Sequence, residues 1–429
     1  MVHRSTRRSL LALTAIVALA LGVAACSSDN AADPTDSPNS SSASVGAETS
    51  GGQDTTSGSG KPAAADGSHT WGVSIPLAGP LASSGEWVQT GVESLVGAVN
   101  AGGGLDGHQV ETKTQDNGAD ASKTAVTTTQ LATSDQVSAI FNGPTSAVCS
   151  SAQPIAERYS IPVLCYAVAE VKDNIFTYGP QHERMGGVSL QAARKVVGDT
   201  SEPMKMALVY LNTATTIEWA DSVEAASAAA NASVVFRDKV DFATTDLSSY
   251  AAKIIAAKPD IVMWDGVPVV LNGFVKALRA GGLDVPVMSI DGASALGAVA
   301  ATNDKNVYFM QPFAALDPAT ATGAGKDYVE AVTAHTGKSD YEYLNTPVRV
   351  AAYIGALATS EAATKCGFPC TGKDLQEKLN TMKFDFQGLA PGFSWANRDD
   401  KYPYSTFFLY QAHPDAAGAD ELGTFQLED

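Results

Sequence analysis

From residue 69 to the end of the chain, short apolar runs alternate with longer amphipathic stretches, separated by polar and glycine-rich breaks. Residues 70–76 put Trp71, Val73 and Ile75 at alternate positions, the period of a strand. A loop rich in Gly and Pro follows at 77–85. Val88, Val92, Leu95, Val96 and Val99 then fall on one helical stripe, which stops at Ala101-Gly102-Gly103-Gly104. Residues 137–141 read as a short buried strand, followed by a helix to about Tyr159 and a strand at 163–166. A second series begins after Gly186. It predicts strands at 206–211, 234–240, 261–264 and 287–290, with helices over 218–229, 248–257 and 271–280 between them. Strand–helix alternation of this kind predicts parallel sheets with helices on both faces. The length exceeds what one core supports, so two doubly wound α/β lobes are expected. In such sheets ligands bind beyond the carboxyl ends of the strands. Two lobes facing each other through those ends enclose a cleft.

The N-terminal pattern is different. Arg4, Arg7 and Arg8 precede an uncharged apolar run at 10–22. That run falls short of the roughly 20 residues needed to span a bilayer, and it reads as a processing signal over 1–25. It ends in Val23-Ala24-Ala25-Cys26, which resembles the bacterial lipobox. The resemblance implies a diacylglycerol on the Cys26 thiol and cleavage before that residue. Thr6-Arg7-Arg8-Ser9-Leu10-Leu11 also resembles a twin-arginine export motif, so either export route stays open. Residues 26–68, beyond the cysteine, are Ser, Gly, Ala, Thr, Asp and Pro with almost no large apolar side chain. Such a stretch buries too little surface to offset its ordering entropy, and a flexible tether is expected.

Charge narrows the partners. The chain carries 28 basic and 46 acidic residues, −18 formally, and loss of the signal arginines makes it more acidic still. This argues against nucleic acid and against peripheral binding to anionic lipid, leaving membrane contact to the N-terminal lipid alone. No second long apolar run exists, which excludes a permease. Cys149, Cys165, Cys366 and Cys370 form an even set in an exported protein, so two disulfides are expected, Cys366–Cys370 and Cys149–Cys165. A four-cysteine zinc site is the alternative, but the two pairs have unlike spacings and no nearby His. No metal or other cofactor is implied.

Catalytic signatures are missing. The globular part has no Gly-X-Ser-X-Gly and no His-Glu-X-X-His. Gly367-Phe-Pro-Cys-Thr-Gly-Lys373 matches the start of a phosphate-binding loop, but Asp374 stands where Ser or Thr would hold magnesium, and no strand precedes it. The six histidines are scattered, and His182, near an expected crossover, fits a surface or hinge role.

In order and spacing, several segments resemble type I periplasmic substrate-binding proteins of ABC importers, the branched-chain amino acid receptor group. They are Trp71-Gly-Val-Ser-Ile-Pro-Leu-Ala-Gly-Pro80, Val99-Asn-Ala-Gly-Gly-Gly-Leu-Asp-Gly-His-Gln-Val110 and Gly143-Pro-Thr-Ser146 with Ala156-Glu157 and Ile161-Pro162. Asp246-Leu-Ser-Ser-Tyr250 and Lys258-Pro-Asp-Ile261 complete the set, and the likeness covers essentially 70–410. It implies a non-enzymatic, monomeric receptor with three crossovers, near 180–186, 311–315 and 388–396. Lobe 1 would comprise 69–183 and 312–390, and lobe 2 would comprise 184–311 and 391–429. A small molecule would be trapped by hinge closure and delivered to the importer's permease subunits.

The resemblance also implies site residues. The first lobe would hold a carboxylate through hydroxyls and main-chain N–H groups at helix starts, with Ser146 as the hydroxyl; a helix N-terminus favours negative charge. Ser146 is equally suited to cap its helix. Ser84, Tyr166, Ala167 and Ala169 would line the pocket. From the second lobe, Asp291 after the strand at 287–290 would meet an α-amino group, with Asp265 beside it. Each of these aspartates also suits a turn or cap. Trp87, Tyr341 and Tyr343 fit either the cleft or the core. Three departures weaken a plain Leu, Ile or Val ligand: Ala169 where a hydroxyl is usual, Asp291 where glutamate is common, and Trp264-Asp265-Gly266-Val267 without the usual tyrosine. An amide, an aromatic or other small carboxylate, or a urea-like ligand stays open. So does a sensing lipoprotein that feeds a signalling receptor.

Overall fold

A computed structural model describes residues 67–168, 172–199, 201–266, 268–290, 296–396, 404–413 and 418–427. Cys26, Ala169 and Asp291 lie outside them. The first lobe opens as β1 (Ser68–Ile75), α1 (Ala82–Ala101), β2 (Gln109–Asp116), α2 (Ala121–Thr133), β3 (Ala139–Asn142), α3 (Ser146–Arg158), β4 (Val163–Cys165) and β5 (Ile175–Thr177). These strands form one sheet in the order β2-β1-β3-β4-β5, parallel throughout. β3, β4 and β5 are buried at every position, as expected of strands covered on both faces.

After a 3₁₀ turn at His182–Arg184 the second lobe runs α4 (Gly186–Val197), β6 (Met204–Leu211), α5 (Ala214–Ser227), β7 (Ala232–Val240), α6 (Ser248–Ala257) and β8 (Ile261–Asp265). It continues through α7 (Leu271–Ala280), β9 (Val287–Ile290), α8 (Leu296–Ala300) and β10 (Val307–Gln311). The chain then returns to the first lobe as α9 (Gly323–Thr336), α10 (Tyr341–Leu344), α11 (Pro347–Cys366), α12 (Gly372–Leu379) and the hairpin β11 (Lys383–Phe386)–β12 (Ala390–Ser394). It ends in β13 (Thr406–Ala412) and β14 (Ala419–Gln426). The second sheet has the order β14-β13-β10-β9-β8-β6-β7. Its central five strands are parallel, and β13 and β14 extend it as antiparallel edge strands.

The expected α/β architecture is present, with those two antiparallel strands as an addition. The third return to the second lobe falls later than residue 390. Phe384 and Phe393 of the hairpin pack on Trp395, with Phe386 against Phe393, and Trp395 and Tyr404 lie in the same core as α1 and α11. Trp395 Nε1 donates to the Thr177 carbonyl at 3.0 Å, so a boundary at 390 would cut through β12.

α11 is buried along most of its 20 residues and turns polar side chains outward only in its last turns, at Glu361, Thr364 and Lys365. It packs directly on α1: a Cβ added at Gly91 would lie 2.5 Å from the Arg349 carbonyl oxygen, so only glycine permits the contact. Each sheet is covered on both faces by its own clusters, Trp71, Val73 and Phe141 against Ile140 and Val163 in the first and Met206, Leu208 and Met263 against Val209, Val262 and Trp264 in the second. Both expected disulfides form. Cys149 and Cys165 have Cα atoms 6.1 Å apart, and Cys366 and Cys370 5.7 Å.

Candidate ligand-binding cleft

The carboxyl ends of β1, β3, β4, β6 and β8 point at one cavity of about 640 Å³, counting its open mouth. Three helix starts surround it. Leu81 and Ser84 come from the first turn of α1, Pro144 and Thr145 from the start of α3, and Thr213, Thr215 and Thr216 from the start of α5. Each start carries unpaired N–H groups and partial positive charge.

Buried amides hold the first-lobe wall. Asn117 Nδ2 donates to the carbonyls of Ser74 at 2.9 Å and Gly143 at 3.2 Å, joining the ends of β1 and β3. Asn142 Nδ2 donates to the Val148 carbonyl at 3.1 Å, and Tyr178 Oη donates to the Asn142 carbonyl at 3.1 Å. Tyr166 and Ala167 line the cavity just after β4. Their backbone runs so close to the crossover that a Cβ at Gly179 would lie 2.0 Å from the Tyr166 carbonyl oxygen. The Cys149–Cys165 bridge ties α3 to the end of β4, so one covalent link fixes both segments of this wall.

Across the cleft, Leu211 ends β6 and Thr213 caps α5, its hydroxyl accepting from the Thr216 amide at 3.4 Å and lying 2.8 Å from the Thr216 hydroxyl. Asp265 ends β8, only 4% exposed, and with Gly266 forms the facing wall. No lysine or arginine among the described residues lines the cavity. Its polar groups are hydroxyls, helix starts, the His182 imidazole and one carboxylate. The arrangement is dipolar, positive potential from the helix starts facing the Asp265 carboxyl.

Of the residues singled out in the sequence, Ser84, Tyr166, Ala167 and Asp265 line this cavity. Ser146 is buried at the first position of α3, and its neighbours Pro144 and Thr145 form the lining there. The cap position of α3 is Thr145, one residue before the expected one, and its side chain makes no capping hydrogen bond. His182 is not a surface residue: it is 5% exposed and lines the cavity. Sequence reading passed over Thr213, Thr215 and Thr216. A run of hydroxyl residues directly after a strand and before a helix is the signal that marks them.

Residues 70–419 match the sequence model of a family described as periplasmic binding protein. The chain belongs to that family. Periplasmic binding proteins are non-enzymatic solute-binding components of transport. A relative, the Leu/Ile/Val-binding protein homolog 3 of Brucella melitensis, is 23% identical over 345 residues, which is 77% of this chain and 91% of that protein. Among solved structures, the Streptococcus pneumoniae branched-chain amino acid transporter substrate-binding protein LivJ, in complex with isoleucine, superposes with a TM-score of 0.66. It is 21% identical and covers 82% of this chain and 99% of its own. A Rhodopseudomonas palustris ABC transporter solute-binding protein in complex with 4-hydroxybenzoate gives a TM-score of 0.71 at 18% identity, covering 84% and 98%. At such identities the superpositions establish the shared fold.

Proposed function

We propose that this periplasmic binding protein is a lipoprotein that captures an amino acid or a close derivative by its α-amino acid head and delivers it to the permease of an ABC importer. The observation that carries the reading is the dipolar cavity. Helix starts at Thr145 and Thr213 supply N–H groups for a carboxylate, and the Asp265 carboxyl faces them across the cavity. A zwitterion satisfies both ends. A lone aromatic carboxylate of the kind bound by the R. palustris neighbour would engage the helix starts but bring no ammonium to the Asp265 end. In this reading Ser84 and Ser146 join the carboxylate side, Tyr166, Ala167 and Ala169 line the middle, and Asp291 assists Asp265 at the ammonium. Closure of the two lobes over the head is the trap. Cys26 carries the lipid, and residues 27–68 are the tether.

Native mass spectrometry of protein purified without added ligand, followed by calorimetry with aliphatic amino acids, 4-hydroxybenzoate and neutral amides, tests the reading. Micromolar or tighter binding of an α-amino acid, lost when its amino group is acetylated, is expected. Tight binding of 4-hydroxybenzoate with none of any amino acid would overturn it.

A further inference from the structure

A second, larger chamber adjoins the first. It holds about 1080 Å³ counting its mouth. Pro268 borders both chambers, and Ser83, at the rim of the outer one, precedes Ser84 in the inner. Its first-lobe wall is built around Tyr343. The Arg349 guanidinium carbon lies 3.7 Å above that ring and the Lys338 ammonium 4.4 Å from its centre. Tyr343 Oη donates to Glu86 Oε1 at 3.1 Å, and Arg349 Nη2 donates to Glu86 Oε2 at 3.3 Å. Arg349 itself is only 1% exposed, so the ring is held from below by a fixed cation and at its edge by a carboxylate.

Beside it stands Trp87. The protein has five tryptophans, and the other four, Trp71, Trp219, Trp264 and Trp395, are buried in cores. Trp87 alone keeps a partly open ring, and it lines this chamber. The second lobe contributes small or apolar groups: Gly297 and Ala298 of α8, Pro268, and Val269, which is 67% exposed. The result is a chamber with Trp87 and Tyr343 set among the charged groups Glu86, Lys338, Asp340, Glu342 and Arg349 on one side and small or apolar groups on the other, directly outside a polar head site. An amino acid with a short side chain would leave that apolar surface wet. A planar ring between the walls would cover it and add aromatic contacts.

We propose that the outer chamber is a ligand subsite for the aromatic tail of a side-chain-extended amino acid, for instance an aryl amide. The proposal builds on the amino-acid reading of the inner cavity. The head would sit among the helix starts and Asp265, the linker would pass Ser84 and Pro268, and the ring would lie between Trp87 and Val269.

Three probes separate the proposal from the reading beneath it. Norleucine has the head alone, Nε-benzoyl-lysine has head and aromatic tail, and hippurate has the aryl amide without a free amino group. Calorimetry should show benzoyl-lysine binding about tenfold more tightly than norleucine, a margin typical of aromatic contact plus buried apolar area. Tryptophan emission should change more with benzoyl-lysine than with norleucine, since the ring meets Trp87 in addition to any effect of lobe closure. Trp87→Ala should remove the tenfold margin and the extra emission change while norleucine affinity stays within about twofold. Should Trp87→Ala compromise folding, Val269→Glu, at an exposed position outside the core, is expected to remove the same margin. Benzoyl-lysine binding no tighter than norleucine, or a margin that survives both substitutions, overturns the proposal, as does failure of both benzoyl-lysine and hippurate to bind. If hippurate binds with Trp87-dependent affinity and norleucine not at all, the outer subsite stands and the amino-acid head is the part that falls.

Discussion

The Cys149–Cys165 bridge makes the most exposed physical claim. It joins residues 16 apart in sequence, from the first turn of α3 to the last residue of β4. Both sulfurs are shielded, Cys149 at 2% exposure and Cys165 at 1%. The double substitution Cys149→Ala and Cys165→Ala removes the crosslink while keeping small apolar side chains in the core. In the chain-entropy account, a loop of this length restricts the unfolded chain by about 3 kcal/mol. The Cys366–Cys370 bridge spans only 4 residues and by the same relation restricts it by about 2 kcal/mol. Two lobes need not unfold together, so the assay has to be local. Hydrogen exchange across β3, β4 and β5 under increasing urea reads the first lobe alone. The 149/165 variant should open these strands at clearly lower urea than the parent and lower than a 366/370 double-alanine variant. Equal urea dependence in the 149/165 variant and the parent would refute the reasoning, because the bridge would then constrain nothing that the packed strands do not already constrain.

Asp265→Asn should lower affinity for an α-amino acid by tenfold or more, since a hydrogen bond to a charged group contributes about 1.5–3 kcal/mol; unchanged calorimetric affinity would remove Asp265 from the ammonium site. Cys26→Ser should leave unprocessed precursor or release the protein from the membrane fraction, and normal processing with membrane retention would sink the lipid assignment. Asp116 accepts from Lys123 Nζ at 2.5 Å and from the amides of Leu77 and Gly118 at 3.0 Å, and the Lys123 contact first, then the Leu77 amide, lower its carboxyl to about 2. A depressed carboxyl stabilises the fold above its unfolded value near about 4 and loses that contribution as pH falls toward 2. Asp116→Asn should therefore flatten the urea midpoint between those pH values, and an identical acid profile in both proteins would show that the cluster at the start of the α1 loop does not couple to folding.

Much of the fold is legible because its elements obey simple periods. The helices at 248–257 and 271–280 and the strand at 287–290 coincide with α6, α7 and β9, each bounded by Gly, Pro or a polar pair that stops the pattern. The failures have physical causes. β5 is three residues long and wholly buried, too short to show any period. α11 is alanine-rich and buried on all sides up to Ser360, so most of its length has no stripe to detect. β13 and β14 pair antiparallel to a parallel sheet, an arrangement set by where the third crossover returns and not by any local residue. For the cavity, the rule that ligands gather beyond strand ends located the starts of α1 and α3 and the end of β8. It missed the start of α5, although Thr213-Ala214-Thr215-Thr216 directly follows a strand just as Gly143-Pro144-Thr145-Ser146 does. The lapse came from reading α5 as beginning at 218, four residues late. Glu218 and Trp219 look like the opening of an amphipathic stretch, yet the hydroxyls before them already belong to the helix. A late boundary takes from a site its unpaired N–H groups, so at a strand-to-helix junction the first helical turn decides whether a cavity reads as apolar or as a carboxylate receptor.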